Sequence, residues 1–254
     1  MKADFDSEKT TGRDGPAAHR HAYHYSIYLD TGGRPEVAEN ENRKYKCGAG
    51  IPARESCAAA AKPTMRVIAG QYRSRPLRSL RGMDIRPTSD RLRETLFNVL
   101  CAGDPAALAG TTWLDLYAGT GAVGIEALSR GAGSVYFVES SKASAELIAE
   151  NLRSLGIADK VHIVKGEVGK ALRQWEAAGV VADFVFLDPP YRLREEYART
   201  LGALAESKLL RESTVVIAEH EKRFDPGEGC GGLRRYRKLE QGDAGLSFYR
   251  RVAS

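Results

Sequence analysis

The sequence predicts an α/β fold in which helices cover both faces of a mainly parallel sheet. Three observations lead to this fold class. From residue 111 onward, short runs of β-branched and aromatic residues alternate with longer stretches of helical periodicity, as in repeated strand–helix units. A glycine turn, Ala118 to Gly124, joins one predicted strand to the next helix. The last two predicted strands form a hairpin, which adds antiparallel pairing at the end of the sheet.

Each predicted element has a local reason in the sequence. Glycine and proline mark the turns of a small N-terminal arm, a serine or threonine caps the first helix, and apolar spacing defines the rest. In chain order we predict an arm of Arg66–Ala69 and Arg75–Leu80 with turns at Gly70 and Pro76, a helix from Thr88 or Ser89 to Leu100, strand 111–117, helix Val123–Ser129, strand Ser134–Val138, helix Lys142–Leu155 ended by Gly156, strand Val161–Val164, helix Val168–Ala178, strand Phe184–Leu187, helix Glu195–Leu204, strand Thr214–Ala218, and a hairpin of Arg234–Leu239 and Leu246–Arg251.

Composition divides the 254-residue chain into two parts. Residues 1–64 are rich in Gly, Pro, Asn, Glu and Arg and have little apolar periodicity outside Tyr23–Leu29, so we expect a mostly disordered extension. Residues 65–254 are expected to form the folded domain, with a basic N-terminal arm at 65–87. The first residues resemble no signal peptide and no apolar run is long enough to span a membrane, which predicts a cytoplasmic protein.

The four cysteines show no C-x-x-C spacing, and the histidines at 19, 21 and 24 lack nearby cysteines or acids at ligand spacing. We therefore expect free thiols in a reducing compartment and no metal site.

The segment Asp188-Pro189-Pro190-Tyr191 follows an apolar run, Phe184–Leu187, that is typical of a buried strand. Two prolines end that strand, because neither can donate to a ladder and both have a fixed φ. A carboxylate, a rigid carbonyl and an aromatic ring are thereby presented at the carboxyl end of a strand, where open α/β sheets bind ligands. These groups suit a planar amine, held by its N–H bonds and stacked on the ring. The alternative is a proline turn that ends in an exposed aspartate.

The glycine turn lies between a strand and a helix, the context in which a G-x-G-x-x-G pattern indicates nucleotide binding. Glycine lets the backbone approach a ligand closely, and the first amides of the helix point at it. The next strand ends in Glu139, an acid suited to the two hydroxyls of a ribose. Together these features favour a nucleoside cofactor over a purely structural turn.

Charge distinguishes between two such cofactors. In dinucleotide sites the acid commonly lies about twenty residues past the glycines, whereas Glu139 follows Gly124 sooner. A second acid, Asp115, ends the strand before the turn and would repel a pyrophosphate. The same acid would attract the ammonium and sulfonium groups of S-adenosylmethionine. The charge pattern therefore favours S-adenosylmethionine over NAD.

Several segments resemble a known family. Two are similar to motifs I and IV of the class I (Rossmann-like), amino-directed methyltransferases: Asp115-Leu116-Tyr117-Ala118-Gly119-Thr120-Gly121 and Asp188-Pro189-Pro190-Tyr191. Three others resemble the RsmD-type 16S rRNA guanine-N2 methyltransferases in particular: Met65-Arg66-Val67-Ile68-Ala69-Gly70, Arg86-Pro87-Thr88-Ser89-Asp90-Arg91 and Arg93-Glu94-Thr95-Leu96-Phe97-Asn98. The resemblance extends from Met65 to about Ala253.

The resemblance implies a seven-stranded sheet with a C-terminal antiparallel strand, S-adenosylmethionine as cofactor, and no metal. It implies a catalytic set of Asp188, Pro189, Pro190 and Tyr191. It implies a cofactor-binding set of Asp115, Tyr117, Gly119, Thr120, Gly121, Glu139 and Glu167. The adenine-binding position departs from the pattern, because an aspartate is expected where the chain has Glu167.

The expected partner is 16S rRNA or an assembly intermediate of the small ribosomal subunit, bound by a monomer. The chain has a formal net charge of +5, and arginines are concentrated between residues 62 and 93. Arginine suits phosphate backbones because of its forked hydrogen bonding and the counterions released on binding. The candidates for RNA binding are Arg66, Arg73, Arg75, Arg86 and Arg91. Alternatively, the last two pair with Asp90 and Glu94 at the start of the first helix.

Three other functions are compatible with parts of the sequence. An amino-methyltransferase acting on DNA adenine or protein glutamine could use the same Asp-Pro-Pro-Tyr motif. A non-catalytic RNA-binding module could retain the fold, although every motif position is filled. An NAD enzyme is disfavoured by Asp115 and by the lack of an evident acid or base for hydride transfer.

Overall fold

A computed structural model of the chain describes residues 27–29, 65–79 and 89–252. The elements in chain order are β1 (Ile27–Leu29), β2 (Met65–Arg66), β3 (Pro76–Leu77), α1 (Asp90–Leu100), β4 (Thr112–Leu116), α2 (Ala122–Ser129), β5 (Ser134–Glu139), α3 (Lys142–Leu155), β6 (Val161–Lys165), α4 (Val168–Ala177), β7 (Ala182–Leu187), α5 (Glu195–Glu206), β8 (Leu210–Glu221), β9 (Gly229–Cys230), β10 (Leu233–Gln241) and β11 (Ala244–Arg251).

The central sheet of the described residues has nine strands in the order β1-β6-β5-β4-β7-β8-β11-β10-β9. The strands from β1 to β8 in this order are mutually parallel. β11 is antiparallel to both β8 and β10. The predicted mainly parallel sheet with a C-terminal antiparallel strand is therefore confirmed. The short strands β1 and β9 extend the predicted seven strands at the two edges.

Helices lie on both faces of this sheet because its strands are apolar on both sides. One buried cluster joins α1, α2 and α3 to the first face and includes Phe97, Trp113 and Phe137. A second cluster joins α4 and α5 to the other face and includes Trp175 and Tyr197. The sheet is therefore the middle layer of a three-layer structure.

Helix boundaries follow the predicted signals. Ser89 caps α1, and its hydroxyl accepts a hydrogen bond of 3.2 Å from the amide of Leu92; Thr88, the other predicted cap, lies outside the described residues. α3 covers the predicted residues and ends at Gly156, whose φ of 75° is left-handed. β8 is longer than the predicted Thr214–Ala218, because polar residues at both of its ends conceal the strand in the sequence.

The predicted arm is present, but its strands are shorter than expected. β2 and β3 pair antiparallel, with Met65 opposite Leu77. The amides of Ile68 and Ala69 bind a side chain of α2 and not a partner strand, which ends β2 early. Of the predicted extension 1–64, only Ile27–Leu29 lies among the described residues, where it forms β1 beside β6.

Candidate functional site at the carboxyl edge of the sheet

Acidic residues from neighbouring strands meet at one edge of the sheet. β4 lies between β5 and β7, and β7 lies beside β8. Asp115 and Glu139 stand near the carboxyl ends of β4 and β5, and Asp188 directly follows β7. The register of β7 and β8 places Asp188 abreast of Glu219. The structure thus brings the predicted catalytic aspartate and the predicted cofactor acids to the same edge.

The glycine turn between β4 and α2 depends on left-handed backbone conformations. Gly119 has a φ of 55° and Gly121 a φ of 75°, and Gly121 is the N-cap of α2. These conformations cost a side-chain-bearing residue energy that glycine does not lose. A Cβ at Gly121 would also lie 3.1 Å from Cγ1 of Ile148 on α3. Conformation therefore favours glycine at this position, and a Cβ would be accommodated only if Ile148 moved by a few tenths of an ångström.

The carboxylate of Glu139 holds the turn from the adjacent strand. Its Oε2 accepts a hydrogen bond of 2.8 Å from the amide of Gly119, and its Oε1 accepts one of 2.8 Å from the amide of Ser141. The residue is half-buried, so part of its surface remains accessible. A carboxylate at this place can accept further hydrogen bonds from vicinal hydroxyls, because each oxygen has two lone pairs.

Asp115 lies beneath the turn and is only 1% exposed. Its Oδ2 accepts a hydrogen bond of 2.8 Å from the amide of Gly124 in the first turn of α2. Burial, with a smaller contribution from the charge of Glu139, raises the pKa of Asp115 to about 8, although the Gly124 hydrogen bond opposes both effects. The ionised form of this carboxyl is thus costly unless a positive charge lies nearby.

The Asp-Pro-Pro-Tyr motif is joined directly to the strand that carries the glycine turn. The amide of Asp188 donates a hydrogen bond of 3.4 Å to the carbonyl of Leu116, the last residue of β4. Pro189 is buried, Pro190 is exposed, and Tyr191 is half-buried. Withdrawal of the Asp188 carboxyl from water raises its pKa well above the usual range, and the charges of Glu219 and Asp115 add to this effect.

Glu219 is a site residue that the sequence interpretation missed. It is 3% exposed, and its backbone carbonyl accepts a hydrogen bond of 2.7 Å from the hydroxyl of Tyr197 on α5. A signal was available in the sequence, because Glu219 follows the apolar run 215–218 just as Asp188 follows the run Phe184–Leu187. Only the strand order shows that the two runs are neighbours.

The remaining predicted cofactor residues occupy different environments. Thr120 is buried, with its hydroxyl 3.6 Å from Sδ of Met65. Tyr117 has a φ of 61°, and its hydroxyl lies 2.7 Å from that of Thr200 on α5, which directs the ring away from the turn. Glu167 caps α4 after β6 and is exposed, without a side-chain capping bond.

The predicted RNA-binding arginines are dispersed over the arm and the start of α1. Arg66 and Arg73 are exposed, and Arg91 is exposed in the first turn of α1. Arg75 donates from Nη2 to the carbonyl of Ser154 over 2.7 Å, which ties the arm to α3. Arg86 lies outside the described residues.

The start of α1 forms ion pairs other than those considered from the sequence. Asp90 pairs with the buried Arg93 at 2.9 Å and with Arg66 at 3.9 Å. In the described part of the chain, no ion pair joins Arg91 to Asp90 or Glu94. Arg93 also donates to the carbonyl of Arg66 over 2.6 Å, so α1 and the arm are fixed to each other.

Two buried polar side chains, which sequence reasoning also missed, anchor the arm to the domain. Glu126 on α2 accepts hydrogen bonds from the amides of Ile68 and Ala69, at 2.7 and 3.0 Å. Asn151 on α3 binds both the amide and the carbonyl of Arg78 and also donates to the carbonyl of Thr120 over 3.1 Å. The arm is therefore connected through Asn151 to the glycine turn.

The electrostatics of the edge favour a cationic ligand. The carboxyls of Asp115 and Asp188 both have raised pKa values, partly because of the other acids at the edge. A bound positive charge would stabilise the ionised forms of these groups. A pyrophosphate would have the opposite effect, as expected from the sequence.

Two further observations concern the described ranges as a whole. None of their helices combines the length and the apolar character required to cross a bilayer. Within the same ranges, no three histidine, cysteine, aspartate or glutamate side chains are grouped as metal ligands would be.

Comparison with known proteins gives consistent relatives. A family model described as Conserved hypothetical protein 95 matches residues 65–250. The Escherichia coli (strain K12) protein named Ribosomal RNA small subunit methyltransferase D is 34% identical over 157 residues, which cover 62% of this chain and 75% of that protein. The Haemophilus influenzae protein of the same name is 34% identical over 162 residues, which cover 64% and 81%. A solved structure of a hypothetical protein from Thermus thermophilus is 27% identical, with a TM-score of 0.62, and the match covers 72% of this chain and 98% of that one.

Proposed function

Since the chain belongs to the family described as Conserved hypothetical protein 95, we propose that it transfers a methyl group from S-adenosylmethionine to the N2 amine of a guanine in 16S rRNA. The named relatives support the reaction class and the substrate, because they are methyltransferases of small-subunit ribosomal RNA. The choice of the exocyclic amine is supported by the chemistry of the Asp-Pro-Pro-Tyr motif.

One observation carries the proposal. The hydrogen bond from the Asp188 amide to the Leu116 carbonyl puts the motif on the strand that neighbours the glycine turn. A ligand held over the turn and an amine held by Asp188 would therefore share one edge of the sheet. Methyl transfer requires this proximity, because donor and acceptor must be aligned within a few ångströms.

The residues at the edge fit S-adenosylmethionine. Glu139 would accept hydrogen bonds from its ribose hydroxyls, and the turn of Gly119–Gly121 would lie beneath it. Asp115 and Asp188 would be stabilised in their ionised forms by its positive charges. When bound, the cofactor supplies an electrophilic methyl group on a sulfonium. Glu167, at the exposed end of α4, would be the partner of the adenine amine.

The chain's own groups then position and activate the amine. The Asp188 carboxylate and the Pro189 carbonyl accept the two N–H bonds of the guanine N2, which leaves its lone pair directed at the methyl carbon. Positive charge would develop on this nitrogen as its bond to the methyl carbon forms and the methyl–sulfur bond breaks, and the Asp188 carboxylate would stabilise that charge. The raised pKa of Asp188 makes it a stronger acceptor for the proton that the nitrogen must lose. Tyr191 provides a ring on which the base can stack.

The target base would have to leave its helix to reach this motif. Extrusion of a base costs a few kcal/mol, which contacts elsewhere on the RNA must offset. The exposed arginines of the arm, Arg66 and Arg73, lie on the face of the sheet that carries α1 and α2. They would bind phosphates on either side of the target nucleotide. The proposed enzyme acts as a monomer in the cytoplasm and uses no metal.

The proposal is tested by offering tritiated S-adenosylmethionine and the full chain to undermethylated small subunits, naked 16S rRNA, DNA and protein. Label should enter ribosomal RNA alone, and mass spectrometry of the digested product should give N2-methylguanosine. Transfer only to DNA or to a protein would overturn the proposal in favour of another amino-methyltransferase. Light scattering and activity in the presence of EDTA test the monomeric state and the independence from metal.

A further inference from the structure

The terminal hairpin of β10 and β11 carries an exposed aromatic residue at a distortion of the sheet. The pairing register shifts between Arg235 and Arg237, which leaves Tyr236 as the extra residue of a β-bulge. Bulges redirect a side chain away from the regular ladder. Tyr236 is 49% exposed, although Phe248 contacts one side of it with ring centroids 6.3 Å apart. The core therefore fixes the ring while much of it faces solvent.

Arg250 completes a stacked pair with this ring. Its guanidinium carbon lies 4.8 Å from the centroid of Tyr236, within the range of a cation–π contact. Arg250 itself is exposed. Guanidinium planes and aromatic rings are the two kinds of surface on which proteins stack unpaired RNA bases. The Tyr236–Arg250 pair offers both side by side.

The positive charge around this pair is not neutralised locally. Other basic residues of the hairpin have partners: Arg235 pairs with Asp225 at 2.6 Å, and Lys238 pairs with the same acid at 3.3 Å. Across the described ranges, neither Arg237 nor Arg250 forms an ion pair with a carboxylate. Arg237 is exposed next to Tyr236. An anion could therefore bind Arg237 and Arg250 beside the ring of Tyr236. We call the Tyr236–Arg250 pair the platform.

The platform faces the same side of the molecule as the arm. Phe248, which supports Tyr236, belongs to the buried cluster that also contains Met65 of the arm and Leu96 of α1. An RNA that binds the arm would therefore extend over α1 towards the hairpin. α4 and α5 lie on the opposite face and provide a surface for control substitutions.

We propose that Tyr236, Arg237 and Arg250 form a second RNA-binding surface, at which an unpaired nucleotide of the substrate stacks on the Tyr236–Arg250 pair and neighbouring phosphates bind the arginines. The inference rests on the proposed function, because it takes ribosomal RNA as the partner. The surface adds affinity and orientation at a distance from the methyl-transfer site. It contributes nothing to the chemical step itself.

The test compares Tyr236→Ala with Tyr236→Phe in the full chain, and Arg173→Ala on α4 is the control. The probes are undermethylated small subunits and naked 16S rRNA. Tyr236→Ala should weaken RNA binding about tenfold and raise the KM for RNA, because a stacked base is lost. Tyr236→Phe should bind as the wild type does, since it retains the ring. The affinity for S-adenosylmethionine and kcat at saturating RNA should not change in either variant.

The arginines are tested through salt dependence. Arg237→Ala and Arg250→Ala should each lower the slope of log affinity against log salt by about 0.7 to 0.9, and Arg173→Ala should leave it unchanged. Wild-type RNA affinity in Tyr236→Ala would overturn the inference, and so would equal losses in the Ala and Phe variants. Failure of the wild type to methylate any small-subunit RNA would instead overturn the proposed function, while the binding measurements would still decide the role of this surface.

Discussion

The amide of Gly119 donates a hydrogen bond of 2.8 Å to the Glu139 carboxylate, so the turn after β4 and the end of β5 are fastened together. The acid that we assign to the cofactor ribose therefore also shapes the turn beneath it. A substitution at this position should act on the cofactor site in two ways. The negative charge for the hydroxyls is lost, and one of the two amide partners loses its acceptor.

Glu139→Gln should weaken S-adenosylmethionine binding by about tenfold or more, because hydrogen bonds to a charged group contribute about 1.5–3 kcal/mol. Isothermal titration calorimetry measures the effect. Glu146→Gln is the matched control, since Glu146 is an exposed acid on α3 whose partner, Lys142, lies 3.8 Å away. Equal affinities in the wild type and Glu139→Gln would remove Glu139 from the cofactor site.

Gly121→Val should prevent cofactor binding, because the side chain would meet Ile148 and the φ of 75° is unfavourable. Gly179→Val is a control with nearly the same backbone strain, since Gly179 has a φ of 72° but no atom within 4 Å of its Cβ position. Both variants should lose about 1–2 kcal/mol of stability from the backbone alone. Calorimetry on folded protein should show lost binding only for Gly121→Val. A variant at Gly121 that binds normally would contradict the assigned turn.

Asp188→Asn should lower methyl transfer about 100-fold or more, because the amide can neither stabilise the developing charge nor take the proton. The affinity for S-adenosylmethionine should fall much less than the rate of transfer, because Glu139 and the glycine turn remain. Asp183→Asn provides the comparison within the same strand: Asp183 stands near the opposite end of β7 and binds the amide of Thr112 at 2.8 Å. Parallel loss of cofactor affinity and activity in Asp188→Asn would show that this residue is structural.

The raised pKa of Asp115 should make the free energy of unfolding depend on pH. Its pKa is about 8 in the folded protein against 3.8 in the unfolded chain, so the folded state retains a proton that the unfolded state has lost between these values. Stability contributed by this group is therefore complete below about pH 4 and decreases as the pH rises towards 8. Asp115→Asn should remove that decrease and stabilise the cofactor-free protein at pH 7, by on the order of 4 kcal/mol. Thermal melts from pH 4 to 8 measure the difference, which should vanish at the acidic end.

Arg73→Ala should reduce RNA affinity and lower its salt slope by about 0.7 to 0.9, because one phosphate contact is lost. Arg73 is exposed in the turn of the arm, and within the described part of the chain no ion pair joins it to an acid. Lys208→Ala, which removes an exposed charge between α5 and β8, should leave the slope unchanged. An unaltered slope in Arg73→Ala would remove this residue from the RNA-binding surface.

Local signals in the sequence predicted most elements of the fold. α3 and its glycine cap follow from helical spacing and Gly156, and β5 follows from a compact apolar run. β8 was predicted too short because Arg211–Ser213 are polar and exposed, and because Glu219 and His220 are polar although buried. Burial of these last two depends on α5 and β11, which lie far away in the chain. Periodicity alone could not reveal it.

The same limit applies to the site. The glycine turn, Glu139 and the Asp-Pro-Pro-Tyr motif are continuous segments, so their chemistry could be inferred from residue type and order. Glu219 and Asn151 act through contacts with residues distant in the sequence. Tyr117 belongs to the segment Asp115–Gly121, but its hydroxyl contacts Thr200 on α5, a direction that no spacing rule predicts. The contacts of these three residues could therefore be identified only once the arrangement of strands and helices was known.

Glu126 has a consequence for the mechanical behaviour of the arm. Its carboxylate, which is fully buried, binds two consecutive amides of the arm and also the Nε of Arg130 at 2.8 Å. If one of these donors moved away, the buried carboxylate would lose a hydrogen-bond partner without gaining water. The arm segment therefore cannot detach one residue at a time. Attachment of the arm is therefore an all-or-none event, and a protease should find this segment either wholly protected or wholly open.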